Sequence, residues 1–189
     1  DEDDESGRSQ VWSLFREGGE AVQLTDTAQK VDYFAWSPDG KRMLLVLQDP
    51  KPEELKAQEA RKQGEKVEEK TRPPWVVTRR QFKQDYVGYL DSRRNHLYVL
   101  DVATRKQKQI TSGDFDDYCE AYLPGCENSR PAWSPDGKRI AFVSNRTKDP
   151  DANYNTDIWV VDADNKDRGA RLLQITTNPG PDAAPSWSS

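Results

Sequence analysis

One motif occurs twice in the chain with little change, and it restricts the folds that the chain can adopt. Residues 36–47 read Trp-Ser-Pro-Asp-Gly-Lys-Arg-Met-Leu-Leu-Val-Leu, residues 133–144 read Trp-Ser-Pro-Asp-Gly-Lys-Arg-Ile-Ala-Phe-Val-Ser, and a third copy begins at Pro185. The Ser-Pro-Asp-Gly segment predicts a tight turn between antiparallel strands, because proline presets φ and glycine supplies a positive φ. The strand after each turn is apolar on both faces, so we expect stacked sheets to bury both of its sides.

Two further strand patterns recur around this motif and extend it to four strands. Strands ending in Leu-Asp or Val-Asp occupy residues 97–101 and 158–162, and segments ending in Gln-Ile-Thr follow at 109–111 and 174–176. Residues 11–15 and 21–25 are similar to the same pair of strands. Four strands in about 40 to 50 residues are typical of one blade of a β-propeller. We therefore predict an all-β protein, a partial β-propeller of four-stranded antiparallel blades.

The spacing of the repeated residues predicts how residues 1–189 divide into the blades of an incomplete propeller. Trp36 follows Thr25 by 11 positions, and Trp187 follows Thr176 by the same 11. The predicted parts are 10–35 as the tail of one blade, 36–111 as a second blade with an insertion at 50–95, 112–176 as a third blade with a loop insertion at 118–129, and 177–189 as the start of a further blade. Propellers close with about four to eight blades, so this count predicts that the sequence is a fragment.

The insertion at 50–95 predicts an arm on the second blade. Residues 52–62 are rich in helix formers but have a thin apolar face, which favours a solvated helix or loop. Residues 75–82 and 86–90 predict two strands of a hairpin that extends beyond the rim. Because exposed arms of this kind often meet a partner, we expect a homo-oligomer contact through residues 75–90.

Composition excludes two classes of partner. The net charge is −5 and the chain has no basic stripe, whereas nucleic-acid-binding surfaces are strongly basic. No apolar run approaches the roughly 20 residues of a membrane span. We therefore expect neither nucleic acid nor a membrane as a partner, and we predict no cofactor.

The sequence presents no catalytic machinery. The one histidine, His96, begins an alternating strand pattern, and a Ser–His–Asp site would need a nucleophile beside it. The chain contains no Gly-x-Ser-x-Gly elbow that would expose a serine. We therefore predict no catalytic residue and interpret His96 as a strand residue.

The two cysteines lie close together within the loop insertion. Cys119 and Cys126 flank a Pro-Gly turn, and no further ligands that would complete a metal site stand nearby. The remaining alternatives are a disulfide and two free thiols in a reducing compartment, of which we favour the disulfide. This preference also favours an extracytoplasmic location, periplasmic or secreted.

Two acidic stretches suggest binding sites, and each has a simpler interpretation. Oxygen-bearing side chains alternate through residues 149–157 as in calcium loops, but the glycine and twelfth-position glutamate of an EF-hand are absent, so we predict no metal. Asp116, Asp117 and Glu120, with Asp114, form a second cluster that could hold the free amino terminus of a peptide through charge-assisted hydrogen bonds. The alternative is a solvated loop.

The longer sequence runs resemble a known family. The repeated Trp-Ser-Pro-Asp-Gly-Lys-Arg, followed at 140–146 by Ile-Ala-Phe-Val-Ser-Asn-Arg, resembles repeats shared by TolB-like proteins and the prolyl oligopeptidase family of serine peptidases. Residues 79–90, Arg-Arg-Gln-Phe-Lys-Gln-Asp-Tyr-Val-Gly-Tyr-Leu, and the His-Leu-Tyr-Val-Leu-Asp run at 96–101 resemble the acylaminoacyl-peptidase and dipeptidyl-peptidase-like branch of that family.

The resemblance implies a larger protein and a role for this chain within it. In that family a propeller covers an α/β-hydrolase domain that supplies the catalytic serine, aspartate and histidine. The chain would then be a non-catalytic lid and size filter that admits short peptides to a hydrolase domain absent from this sequence. The family's glutamate pair that grips a substrate amino terminus has only a loose analogue in Asp116, Asp117 and Glu120. The alternative function is a TolB-like propeller that binds proteins and has no enzymatic activity.

Overall fold

The computed structural model describes residues 8–65, 74, 76–84, 88–118 and 129–188. Within these residues the chain is mostly β-structure, with one α-helix and one short 3-10 turn at Pro150–Ala152. The strands are β1 (Trp12–Ser13), β2 (Val22–Gln23), β3 (Val31–Trp36), β4 (Arg42–Gln48), β5 (Lys83–Gln84), β6 (Gly88–Tyr89), β7 (Asn95–Asp101), β8 (Gln107–Gln109), β9 (Ala132–Trp133), β10 (Arg139–Ser144), β11 (Asp157–Asp162) and β12 (Leu173–Gln174). Helix α1 spans Pro52–Lys62.

The strands form two four-stranded antiparallel sheets and two short hairpins. One sheet has the order β3-β4-β7-β8, the other has the order β9-β10-β11-β12, and every neighbouring pair is antiparallel. In each sheet the strands follow one another in chain order, which is the four-stranded meander that the repeat predicts. The pairs β1-β2 and β5-β6 form the hairpins.

The Ser-Pro-Asp-Gly turns have the same hydrogen bonds in both copies. Ser134 Oγ donates to Asp136 Oδ1 at 2.6 Å and accepts from Arg139 N at 2.9 Å, while Gly137 N donates to Ser134 O at 2.8 Å. Ser37 makes the equivalent bonds to its aspartate and arginine at 2.6 and 2.9 Å. These bonds explain the use of a hydroxyl side chain at this position, since one hydroxyl closes both sides of the turn.

The Gln-Ile-Thr segments close the outer edge of each sheet. The amides of Val11, Leu97 and Ile158 donate to the hydroxyls of Thr25, Thr111 and Thr176 at 2.8, 2.9 and 2.9 Å, respectively. A threonine hydroxyl therefore takes the place of a strand carbonyl at the same point of three successive repeats. This equivalence identifies the β1-β2 hairpin as the outer pair of strands of the same repeat.

The core lies between layers. One cluster, including Leu44, Val46, Ile140 and Phe142, lies between the two four-stranded sheets, and a second, including Leu45, lies between the first sheet and the β1-β2 hairpin. Residues Met43 to Leu47 are all 0% exposed, and residues Ile140 to Val143 are at most 5% exposed. The prediction that the strand after each turn is buried on both faces is confirmed.

The insertion after β4 departs from its predicted form. Residues 52–62 do form a helix, α1, with no buried residue. In the described residues the arm has strands at Lys83–Gln84 and Gly88–Tyr89; the second lies within the predicted 86–90, whereas the described part of 75–82 forms no strand. Arg79 and Arg80 form ion pairs with Asp151 and Asp149 instead of pairing in a strand. Trp75 and residues 85–87 lie outside the described part of the chain.

Helix α1, at 11 residues, is the longest helix in the described ranges, and none of the helices there has the length and apolarity needed to cross a bilayer.

We predict that Gly40→Ala lowers the free energy of unfolding by about 1–2 kcal/mol, because φ at this residue is +67° and an L side chain is strained there. Nothing lies within 4 Å of the added Cβ, so the cost comes from the backbone alone. Urea denaturation of the purified variant measures it. Gly180→Ala, at a glycine outside the positive-φ region, is the control, and an equal loss in both variants would contradict the argument.

Candidate functional site

The long connections and several charged residues lie together at one end of the two sheets. The insertion after β4, the connection after β8 and the loop after β10 all leave the sheets at this end, opposite the Ser-Pro-Asp-Gly turns. Asp116 and Asp117 lie in the connection after β8. We call the charged residues at this end the charged edge, and its members in the described chain are Asp49, Arg79, Arg94, His96, Asp114, Asp116, Asp117, Arg146 and Asp151.

Asp117 is fully buried, and the side chains of His96 and Arg146 hold its carboxylate. Its Oδ2 lies 3.0 Å from His96 Nδ1, and Arg146 Nη2 contacts its Oδ1. The Asp117 amide also donates to the Asn95 carbonyl at 2.8 Å. His96 lies in β7, as its sequence pattern predicts, and its Nε2 is 3.6 Å from Asp49 Oδ1.

Arg146, the partner of Asp117, lies among three aromatic rings. Its guanidinium carbon is 5.1 Å from the centre of the Phe115 ring, 5.5 Å from that of Trp159 and 6.0 Å from that of Phe142. Cation–π contacts of this kind strengthen when the charge is shielded from water, and this side chain is only 13% exposed. Together the aromatic rings and the Asp117 carboxylate fix the position of the Arg146 charge.

Asp116 belongs to a ring of four alternating charges. Arg94 Nη1 is 2.9 Å from Asp116 and 4.0 Å from Asp151, while Arg79 Nη2 is 2.6 Å from Asp151 and 3.9 Å from Asp116. Arg79 Nε also donates to Asp151 at 3.2 Å, which makes that pair bidentate. We call these four residues the four-charge ring. It joins the arm, the start of β7, the connection after β8 and the loop after β10.

The ring shifts the ionisation of its members. Burial alone would raise the pKa of Asp151, but the hydrogen bond and charge of Arg79, with the charge of Arg94, outweigh it and lower that pKa below its ordinary value. Burial likewise opposes the charge of Arg94, but Asp116 and Asp114 outweigh it and raise the pKa of Arg94. At neutral pH Asp151 is therefore ionised and Arg94 is protonated.

The charged edge has the chemistry of a structural site rather than of a nucleophile. One hydroxyl at this end, Ser144 Oγ, donates to the Asp116 carbonyl at 2.8 Å and is buried, so it is not presented to a substrate. Asp149, Asp151 and Asn153 of the calcium-like stretch contact Arg80, Arg79 and Thr147, respectively. In the described ranges no group of three or more acidic, histidine or cysteine side chains could hold a metal ion.

The structure describes only some of the predicted site residues. Asp116 and Asp117 lie beside each other but face different cationic partners, and Glu120, Cys119 and Cys126 lie outside the described residues. The substrate-binding role of these acidic residues and the disulfide therefore stay predictions. Sequence reasoning did not identify Arg79, Arg94 and Arg146 as partners of the acidic cluster. Each of these arginines lies 20 or more positions from its carboxylate partner, so no local sequence pattern could have identified the pairs.

Comparison with known proteins finds one relative that is named as a peptidase. No family model matches the chain. A protein of Bacillus subtilis (strain 168) named uncharacterized peptidase YuxL is 30% identical over 159 residues, which are 84% of this chain and 22% of that protein. The chain therefore spans about a fifth of the length of this relative.

The solved structure of an acylaminoacyl peptidase has the same architecture. The acylaminoacyl peptidase of Pyrococcus horikoshii aligns with a TM-score of 0.51 at 14% identity, over 88% of this chain and 21% of that one. TolB from Acinetobacter baumannii aligns with a TM-score of 0.45 at 17% identity, over 92% of this chain and 28% of that one, which is too weak a likeness to support an argument.

The stacked four-stranded meanders and the acylaminoacyl peptidase fold define a protein built from propeller-type repeats. The relative named as a peptidase agrees with the resemblance to propeller repeats of the prolyl oligopeptidase family. The resemblance drawn from the sequence motifs is thus confirmed.

We predict that Asp151→Asn destabilises the protein by roughly 3 kcal/mol, because it leaves the largely buried Arg79 without its bidentate partner. Chemical denaturation of the variant measures the loss. Arg80→Ala is the matched control: it breaks the neighbouring Arg80–Asp149 pair, whose side chains are 73% and 50% exposed, and should change stability by less than about 1 kcal/mol. Equal effects of the two substitutions would show that the ring adds nothing to an ordinary surface pair.

We also predict that Asp151 contributes to the free energy of unfolding and that acid removes this contribution. Since the pKa of Asp151 is lowered in the folded state, its contribution is present above the ordinary carboxyl pKa and is lost as pH falls through the lowered value. Unfolding free energy measured from neutral pH down to about pH 3 should therefore fall less steeply in Asp151→Asn than in the unchanged protein. Parallel curves for the two proteins would contradict the assignment.

Proposed function

We propose that this chain is the non-catalytic propeller portion of a serine peptidase that hydrolyses short peptides, and that it acts as a lid and size filter over an α/β-hydrolase domain. The observation that carries the proposal is the 30% identity to a peptidase over 84% of the chain. The fold of an acylaminoacyl peptidase supports it. A rigid lid contributes to such a reaction by excluding water and by restricting which substrates reach the active site.

The described contacts suit a lid that must keep its shape. The two sheets share a continuous apolar core, and their charged edges are joined by the four-charge ring. Such a body cannot deform easily around a large substrate, because close-packed protein interiors resist small displacements. The exclusion of folded proteins would then follow from rigidity rather than from a specific contact with the substrate.

The test is the activity of the complete protein that contains this chain. We expect labelling of a serine by a fluorophosphonate and cleavage of short chromogenic peptides, with no cleavage of a folded protein. A polypeptide of only these 189 residues should give neither signal. A complete protein that neither reacts with the fluorophosphonate nor cleaves peptides would support the alternative, a TolB-like propeller that binds proteins without enzymatic activity.

The filter itself can be tested in the same protein. Arg79→Ala opens the four-charge ring, so it should raise kcat/KM for longer peptides more than for short ones. Arg80→Ala, which leaves the ring intact, should preserve the length preference. An unchanged length preference in both variants would show that the ring plays no part in selection by size.

Two further expectations belong to this proposal. A homo-oligomer formed through the arm at 75–90 is consistent with the exposure of Val76, Phe82 and Tyr89, which are 69%, 43% and 57% exposed. Light scattering of the complete protein, compared with that of a Phe82→Ser, Tyr89→Ser variant, tests it. An extracytoplasmic location rests on the two cysteines alone, and alkylation with and without a reductant tests whether they are bonded.

A further inference from the structure

A polar cleft of about 440 Å³ lies where the β1-β2 hairpin, helix α1 and the β7-β8 strand pair meet. Its volume is in the range of about 300–1,000 Å³ that is usual for pockets that bind small ligands. None of its lining residues belongs to the charged edge. They are Gln23, Leu24, Thr25, Asp26, Gln58, Lys62, Leu100, Arg105 and Gln107.

Two hydrogen bonds fix the three elements around the cleft. Gln58 Nε2 of α1 donates to the Asp26 carbonyl at 2.6 Å. Arg105 Nη1, from the turn between β7 and β8, donates to the Gln23 carbonyl at 2.9 Å. A ligand would therefore meet walls that are already in place, which reduces the entropy that binding costs.

The equivalent place between the second and third repeats is filled by the chain itself. Ile110 and Thr111 correspond there to residues 24 and 25, because both threonine hydroxyls accept from equivalent strand amides. Gly169, in the turn between β11 and β12, comes so close that a Cβ added to it would lie 3.3 Å from Thr111 Cα and 3.5 Å from Ile110 O. The backbone of that turn therefore occupies the place where the cleft would be.

A leucine of the third repeat also stands where the cleft has a glutamine. Gln109 and Gln174 occupy equivalent positions in β8 and β12. Gln107 and Leu172, each two residues earlier, therefore correspond. Leu172 packs against the apolar core, whereas Gln107 lines the cleft. Stacking of the sheets alone thus does not produce such a cleft, which depends on the residues that line it.

Three charged residues of the cleft have no ion-pair partner within the described chain. Lys62 and Arg105 supply two cations and Asp26 supplies one carboxylate, and all three are exposed. The cleft also contains three side-chain amides, those of Gln23, Gln58 and Gln107. An amide side chain both donates to and accepts from peptide groups. The complementary ligand has two carboxylates, one ammonium and amide groups between them.

We propose that this cleft binds a short acidic peptide with free termini. One carboxylate of the peptide meets Lys62, a second meets Arg105, and the terminal ammonium meets Asp26. The glutamine amides bond the peptide groups between these charges. The proposal rests on the cleft alone and does not depend on the proposed peptidase activity.

Isothermal titration calorimetry of the complete protein with the peptide Gly-Gly-Glu tests the proposal. A fluorophosphonate is added first, so that any peptidase activity does not consume the peptide. We expect saturable binding, and Gly-Gly-Gln should bind about twofold to fivefold more weakly, which is the loss for one exposed ion pair. Free glutamate has the same three charges without the amides and should also bind more weakly. Binding of glutamate as tightly as the peptide would overturn the assignment of a peptide ligand.

Matched variants of α1 show whether the cleft is the site. Lys62→Ala should weaken binding of Gly-Gly-Glu about twofold to fivefold. Lys56→Ala removes the same charge from an exposed residue of the same helix outside the cleft, so it should leave binding unchanged. Asp26→Asn should weaken Gly-Gly-Glu but not its N-acetylated form, which has no ammonium. The absence of saturable binding, or an equal loss in Lys62→Ala and Lys56→Ala, would overturn the proposal.

Discussion

The central strands β4 and β10 are apolar on both faces, and the rest of the structure depends on burying them. Residues Met43 to Leu47 have no accessible surface, which one sheet alone cannot achieve. Each strand needs a neighbouring layer on either side, so the repeat produces stacked sheets rather than a single one. The layers are also joined by hydrogen bonds from the indoles of Trp133 and Trp187 to the carbonyls of Ala35 and Ala132 in the preceding layer.

The connections at one end of the sheets are nearly identical between repeats, whereas those at the other end vary. At one end, the Ser-Pro-Asp-Gly turns are nearly identical in both copies, with glycine φ values of +67° and +68°. At the other end the connections differ in length and are held by charges, among them the four-charge ring. Burial of such charges is costly unless they are paired, and here Arg94 and Arg79 face carboxylates on more than one side. The connections therefore vary in length at the end of the sheets where ion pairs hold them in place.

The sequence-based predictions were most accurate where the chemistry was local. The meander, the turns and the buried strands are confirmed because a turn needs particular residues at adjacent positions and a buried strand needs an unbroken apolar run. The first strand of the arm was placed wrongly, since it spans Lys83–Gln84 rather than 75–82, whereas the second, Gly88–Tyr89, lies within the predicted 86–90. The apolar residues at 76 and 77 indicated a strand. An apolar segment, however, does not show whether a second strand lies beside it to pair with.

The sequence by itself determined the repeat, the order of strands within each sheet and the two-sided burial that requires further layers, because these follow from neighbouring residues. Only the tertiary structure decided the partners of charged residues far apart in the chain. Arg79 meets Asp151 across 72 positions, and Trp133 reaches Ala35 across 98. The sequence does not show whether a carboxylate or an indole faces water, substrate or another part of its own chain. The packing of the sheets determines which of these it meets.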